Sequence, residues 1–337
     1  MSRDVTVLLG DPGLPDRSKP GGQFTPDDYL QIEKLEQALS EISGRRFDFW
    51  NDHEGLFRRL REERPEFVLN FCDTGFRNEA RYELHIPALL EILVVPYSGS
   101  GPVALGICYD KALVRAVAQT HGVPVPWEVF LRSKESLPDV AFPAFIKPNC
   151  GDGSIGITEA SLVKNRRDAD AYIARLRAEL PGADILVQEF LSGEEYGLGL
   201  IGNSAAGFTA LPVLQVDYSA LDSSLPRLLS YGSKVDPESP YWSDIRFREA
   251  TLSPAVKAEM KEWSTRLFDR LQLRDYARFD FRADAAGGLK LMEVNPNPAW
   301  CWDGKLVHMG KLMGLSHGGV LGLILEAAER RCFGNQS

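Results

Sequence analysis

Apolar residues recur along this chain at two periods. The short runs VTVLLG (5–10) and FVLNF (67–71) have the length and β-branched content of buried strands. Between them, DDYLQIEKLEQALSEIS spaces its apolar positions at helical intervals, and a second helical stretch ends near Ile92. Strand, helix, strand, helix in order predicts an α/β unit with a parallel sheet and crossovers. PYSGSG (96–101) then reads as a tight turn. From Tyr109 onward Ala112, Leu113, Ala116 and Val117 predict a helix, closed by Gly122 and Pro124. AFIKP (144–148) and ILVQEF (185–190) read as strands around the charged helix NRRDADAYIARLRAEL, and YGLGLIGN (196–203) and GFTALPVLQV (207–216) as two more. Residues 217–245 hold Tyr218, Tyr231, Tyr241 and Trp242 with little periodicity, the mark of a functional or mobile loop. A helix near 253–270 leads into a hairpin, YARFDFR and KLMEVN around ADAAGG (283–288).

That hairpin carries the first chemical signal. Strand side chains alternate faces, so Arg278 and Asp280 share one face, and Glu293 and Asn295 share one face of the partner strand. Pairing in register would join all four into a polar cluster over an apolar floor of Phe279, Phe281, Met292 and Val294. Two carboxylates and an amide oxygen are hard ligands that suit Mg²⁺ when it also keeps waters and phosphate oxygens. Ordinary cross-strand salt bridges on a solvated face are the competing explanation.

Composition narrows what such a cluster could serve. At 337 residues, 44% hydrophobic and 25% charged, the chain has the makeup of a folded protein with more than one packed unit. A net charge of -9 excludes the basic footprint of a nucleic-acid binder, so any polyanion bound must be small and locally held. No run approaches the roughly 20 apolar residues of a membrane span, and the apolar run at the N-terminus is too short for a signal-peptide core. Cysteines at 72, 108, 150, 301 and 332 show no paired spacing, which fits free thiols in the cytoplasm.

Two lysines and a glycine loop supply candidates for binding an anion. Gly151, Gly153 and Gly156 follow a strand with GxGxxG spacing, but the β-branched ITEASLV comes next where a dinucleotide fold would start a helix. A loop whose backbone N–H groups lie over phosphates, with Lys147 as a nearby charge, accounts for it better. Lys111 sits at a helix start, against the helix dipole, and suggests an anionic partner; a solvated lysine is the other reading. In VQEFLSGEEYGLG a purine could lie along the strand edge, with Glu195 accepting from ribose hydroxyls.

In order, PYSGSG, YDKALVRA, FIKPNCGDGSIGI, VQEFLSGEEY, RFDFR and MEVNPNP resemble the ATP-grasp superfamily, and within it the D-alanine–D-alanine ligases, from about residue 90 to 330. The resemblance implies an α/β ATP-grasp fold with an N-terminal Rossmann-like domain (1–108), a central small subdomain (109–194) and a large C-terminal subdomain (195–337). It also implies ATP, with Lys111, Lys147, Gly153 and Ser154 at the phosphates. Gln188, Glu189 and Leu191 would hold the adenine and Glu195 the ribose. Asp280, Glu293 and Asn295 match the ligands of two Mg²⁺ ions, for which Mn²⁺ is an alternative. Arg278, Lys234 of the lid and the Ala299 amide match the groups around the reacting atoms. Members of the family act on small carboxylates and amines in the cytoplasm and are often homodimers.

The pattern departs from the family on the substrate side. GDPGLPDRSKPGG, after the first strand, lacks the glutamate that holds the first amino group, and Val235 stands where the lid has a tyrosine. The final motif continues as Ala299, Trp300, Cys301, Trp302 and Asp303, with Gly304 near the place of a serine. Two tryptophans there would make an acceptor pocket unlike one for a methyl side chain, or else belong to the hydrophobic core, the more frequent fate of tryptophan. Three functions therefore stand: an ADP-forming carboxylate–amine ligase of altered substrate range, an authentic D-alanine–D-alanine ligase, and an ATP-binding scaffold without catalysis.

Overall fold

The computed structural model describes residues 3–334 except 152 and 237, without the side chains of 234 and 235. Three sheets follow one another along the chain. In the first, Arg3–Leu8 lies between Arg45–Trp50 and Val68–Asn70, all parallel, with Val5 opposite Phe47 and Thr6 opposite Val68. Arg45–Trp50 escapes the apolar pattern because it is an edge strand whose Arg46 and Asp48 face solvent. The helix Pro26–Ser40 starts at a capping box between Thr25 and Asp28, with proline in its first turn. Its Leu35, Ala38 and Leu39 meet Val320, Leu321 and Ile324 of the last helix, His317–Phe333, which ties the two ends of the chain into one core.

The second sheet is antiparallel, in the order Glu128–Leu131, Ile185–Glu189, Ala144–Pro148, Leu162–Val163. Ala144, Ile146, Ile185 and Val187 point to the helix Arg166–Glu179 and its Ala169, Ile173 and Leu176. Alternation then turns Phe145, Lys147 and Gln188 to the opposite face. The helix expected from Tyr109 is Lys111–Thr120, and a second helix not foreseen, Pro102–Tyr109, precedes it; the two divide at Asp110, whose side chain caps the later one by accepting from Leu113 N at 2.9 Å.

The third sheet is antiparallel, in the order Arg246–Glu249, Leu214–Asp217, Glu195–Asn203, Tyr276–Ala283, Leu289–Asn295, with Gly207–Ala210 paired to Glu195–Asn203. The single strand expected over 207–216 breaks at residues 211–213, where Pro212 cannot donate to a ladder. One face buries Leu198, Leu200, Phe279, Phe281 and Val294 against Met260, Leu267 and Phe268 of Pro254–Arg270. The other lies under the helix Lys305–Leu312. A Cβ at Gly197 would come within 2.9 Å of Met309, and one at Gly199 within 2.8 Å of Leu306. The glycines of YGLGLIG thus let that helix approach the sheet backbone.

Residues 217–245, apart from 237, are largely loop as expected, and the loop packs onto a small core of its own. Tyr218, Leu221, Leu228 and Tyr241 form a small core with Phe145 and Val216, and short helices occupy Gly232–Val235 and Pro240–Ser243. Tyr231 reaches both neighbours: its amide donates to Ile157 O at 3.1 Å and its hydroxyl to Ser18 O at 3.0 Å. Among the described residues no helix is long and apolar enough to cross a membrane.

Candidate functional site

The hairpin strands pair as Arg278↔Asn295, Phe279↔Val294 and Asp280↔Glu293, then shift so that Phe281 faces Leu291. The shift leaves Met292 as the extra residue of a β-bulge. Simple alternation would put Leu291 on the polar face with Glu293; the bulge moves it into the core, where it is 0% exposed. Met292 is therefore not part of a regular apolar floor. Its carbonyl accepts from Arg115 Nη1 at 2.7 Å.

On the polar face Arg278 forks onto Asp280, with Nε–Oδ1 at 2.9 Å and Nη2–Oδ2 at 3.0 Å, and Asn295 Nδ2 donates to Oδ2 at 3.3 Å. Burial works against the Arg278 charge, but the Asp280 carboxylate outweighs it and holds the guanidinium above its ordinary pKa. Among the described residues no three His, Cys, Asp or Glu side chains are arranged to hold a metal. Asp280 and Glu293 with the Asn295 amide fit the sparse protein share of an Mg²⁺ site, in which waters and phosphate oxygens complete the shell.

The facing wall comes from the second sheet and the helix Lys111–Thr120. Asn149, 1% exposed, accepts from Ala112 N at 2.9 Å through Oδ1 and from Lys111 N at 3.2 Å through its carbonyl. It thereby fixes the helix start on the glycine loop, where Lys111 Nζ donates to Gly151 O. Gly156 needs its φ of 72° and its missing side chain, since a Cβ would sit 2.8 Å from Pro148 Cγ. Ser154 takes a left-handed φ of 63° without being glycine, a strain that tends to collect at functional loops. Lys147 is 3% exposed. Its pKa is pushed down to about 7, first by burial and then by the neighbouring Arg115 and Lys111 charges, with Glu293 pulling it back up.

Among the described residues of this wall, the buried atoms Gln188 Oε1 and Arg115 Nη2 have no hydrogen-bond partner. A buried amide oxygen left alone is costly, and the exocyclic amine of a base is the kind of donor that would complete it. Lys111, Tyr109, Glu83, Glu293 and Asn295 line a cavity of about 20 Å³ where the two walls meet, room for about one water.

The remaining sequence candidates lie nearby with qualifications. Glu189 N donates to Trp127 O at 2.9 Å, and its carboxylate takes Lys290 Nζ at 2.7 Å, so a further main-chain contact would have to use its carbonyl. Leu191 is buried. Glu195 accepts from Tyr218 Oη at 3.1 Å and Lys305 Nζ at 3.3 Å. Ala299 is half-buried without a positive φ, and the side chain of Lys234 lies outside the described residues. Trp300 is core: its Nε1 donates to Phe71 O at 2.8 Å and its ring stacks on Phe71. A pocket walled by both tryptophans is therefore not formed, and Trp302 lies at the surface under Lys311.

The sequence reading missed Arg115, Lys305 and Glu83. Arg115 stands one turn after Lys111, so helical spacing could have flagged it. It is 0% exposed and binds Glu128 at 2.6 Å. Glu83 accepts from Asn297 Nδ2 at 2.7 Å, a contact between residues far apart in the chain that no local pattern announces.

Residues 118–326 match the family model described as D-ala D-ala ligase C-terminus. The chain is 30% identical over 270 residues to the uncharacterised protein y4sG of Sinorhizobium fredii, covering 80% of this chain and 76% of that one. It is 31% identical over 246 residues to a D-alanine–D-alanine ligase of Oleidesulfovibrio alaskensis, covering 72% and 73%. The crystal structure of D-alanine–D-alanine ligase from Bacillus anthracis complexed with ATP superposes with a TM-score of 0.74 at 18% identity, over 98% of this chain and 99% of that one. The order of sheets, the two charged walls and these matches agree: the chain belongs to the D-alanine–D-alanine ligase family of ATP-grasp proteins.

Proposed function

We propose that this chain is an ADP-forming ligase that joins a carboxylate to an amine through an acyl phosphate, with a substrate pair other than two D-alanines. The observation that carries the reading is the pair of facing walls: Lys111, Lys147 and the partnerless Gln188 oxygen on one, Arg278, Asp280, Glu293 and Asn295 on the other. In this reading the three sheets mark the subdomains 1–108, 109–194 and 195–337. Lys111, Lys147 and the amides of Gly153 and Ser154 hold phosphates. Gln188 Oε1 with the main chain of Glu189 and Leu191 holds adenine, and Glu195 the ribose. Asp280, Glu293 and Asn295 would hold two Mg²⁺ ions, which when bound neutralise phosphate oxygens.

The donor carboxylate oxygen attacks the γ-phosphorus, and ADP leaves with the electrons of the broken P–O bond. An amine then attacks the acyl carbon, phosphate departs, and the nitrogen loses a proton. Negative charge builds on oxygen in both steps, where Arg278, Lys234 and the Ala299 amide would stabilise it. The substrate part of the proposal rests on the loop after the first strand. It has no glutamate, and its Asp11 accepts backbone amides from Gly13 at 2.8 Å and His53 at 3.0 Å, so this carboxylate has a structural task. A cytoplasmic homodimer belongs to the same reading.

ADP release from Mg-ATP across a panel of amino acids and other carboxylates, each with amine acceptors, tests it. Release with a pair other than D-alanine is expected. Release with D-alanine alone would overturn the substrate assignment, and measurable ATP binding with no release would favour a scaffold.

Lys147 adds a pH dependence. Below about pH 7 it is charged in both the folded and unfolded chain, and its burial destabilises the free protein. As pH rises from there toward the ordinary lysine range the folded form gives up its proton first, so stability climbs. Nucleotide phosphates would restore the charge. Calorimetry of ADP binding at pH 8 in buffers of different ionisation enthalpy should show proton uptake that disappears in Lys147→Met, while that variant melts higher than the parent when no nucleotide is present. No uptake in the parent would remove this lysine from the phosphate site.

A further inference from the structure

Lys305 is the first residue of the helix Lys305–Leu312, and Gly304 at the N-cap supplies no side-chain cap. The close packing of that helix on Gly197 and Gly199 sets Lys305 over the polar face of the large sheet. Asp280 pairs with Gly197 and Arg282 with Glu195 in the ladder, so Glu195 and Asp280 are diagonal neighbours on that face. Lys305 Nζ lies between them, 3.3 Å from Glu195 Oε1 and 3.7 Å from Asp280 Oδ2, with its side chain 14% exposed.

Neither carboxylate depends on this lysine. Asp280 has the Arg278 fork and Asn295 Nδ2, and Glu195 has the Tyr218 hydroxyl and the Arg282 guanidinium, 3.7 Å away. A cation at the first position of a helix also opposes the helix dipole. Its charge is therefore surplus to the carboxylates and becomes more so once a divalent cation takes Asp280. An anion that runs between the ribose partner and the metal ligand would meet Nζ directly.

We propose that Lys305 is a third phosphate-binding lysine, contributed by the wall opposite Lys111 and Lys147, which leaves Glu195 and Asp280 for the nucleotide's phosphate chain on binding. This rests on the nucleotide reading of the site. Phosphates would then be clasped from both sides, and the helix carrying Lys305, which follows the acceptor-side residues 299–304, would sense whether nucleotide is present.

The test is calorimetry of ATP, ADP, AMP and adenosine binding to the full chain, with and without Mg²⁺, for the parent, Lys305→Met and Lys305→Arg. Loss of a charge-assisted hydrogen bond to phosphate should weaken ATP and ADP by about ten-fold or more in Lys305→Met. Adenosine should bind as before, and arginine should recover part of the loss. In the parent, acylation of Lys305 followed by mass spectrometry should be suppressed by ADP and unaffected by adenosine, a readout that needs no variant to fold. Equal weakening of adenosine and ATP, or a lower Tm with unchanged ADP affinity, would overturn the proposal and leave Lys305 a structural counter-ion. If the parent binds none of the four ligands, the nucleotide reading itself fails; if it binds them and Lys305→Met does not discriminate, only the assignment of Lys305 does.

Discussion

Glu293→Gln is expected to lower ADP formation by about a hundred- to a thousand-fold while leaving the fold intact. The amide has the shape of the carboxylate, and Glu293 is only half-buried beside the bulge, so the hairpin has little reason to move. What is lost is a negative charge opposite Lys147 and Arg115, both of which feel it, together with a hard oxygen ligand beside Asp280. Steady-state ADP release and thermal melts on the same preparations check this. Near-normal turnover would remove Glu293 from the metal set, and loss of the fold would make it structural.

Arg278→Lys is the second large effect. Lysine keeps the charge but cannot reproduce the planar fork that meets both oxygens of Asp280 at 2.9 and 3.0 Å. A guanidinium placed in advance where oxyanion charge develops typically contributes about two to three orders of magnitude in kcat, and that loss is expected with the KM for ATP within a few-fold of the parent. Arg278→Met should add a stability penalty, because breaking a buried pair leaves an uncompensated carboxylate, at a cost of about 3–5 kcal/mol. Lys305 and Asn295 beside the same carboxylate should keep the penalty toward the lower figure. A KM effect of the same size as the kcat effect would instead assign Arg278 to ground-state binding.

Both predictions concern residues that period-2 alternation put on one face, and the structure brings those four together. Local pattern carried that far because strand neighbours two apart share an environment wherever the strand goes. It did not carry to Met292, since nothing in KLMEVN marks a bulge: the shift lets Leu291 reach the core while Glu293 keeps its register. Lys305 was invisible for a different reason. Its approach to Glu195 depends on two glycines more than a hundred residues earlier, a tertiary contact that no window contains. Trp300 could be read two ways, beside the acceptor or as core; a buried indole needs a partner for its N–H, and Phe71 O in the first sheet provides it, which decides for core. Residues 217–245 look aperiodic because their apolar positions serve a small separate core with Phe145, not a continuous helix or strand face.

The comparisons and the geometry bear on different parts of the account. Family membership follows from the match over residues 118–326, whereas the choice of substrate turns on the first loop, where Asp11 is held by backbone amides. The proposed reading therefore expects a donor whose amino group is bound away from Asp11, or that has none.

The central claim, ligation through an acyl phosphate, is tested most directly with ¹⁸O. The substrate panel is run with both carboxylate oxygens of each donor labelled, under Mg-ATP and an amine acceptor, and the released phosphate is weighed by mass spectrometry. Attack of the carboxylate on the γ-phosphorus moves one labelled oxygen into phosphate for each amide formed, and that stoichiometry is the predicted result. ADP and unlabelled phosphate released together with amide would contradict it.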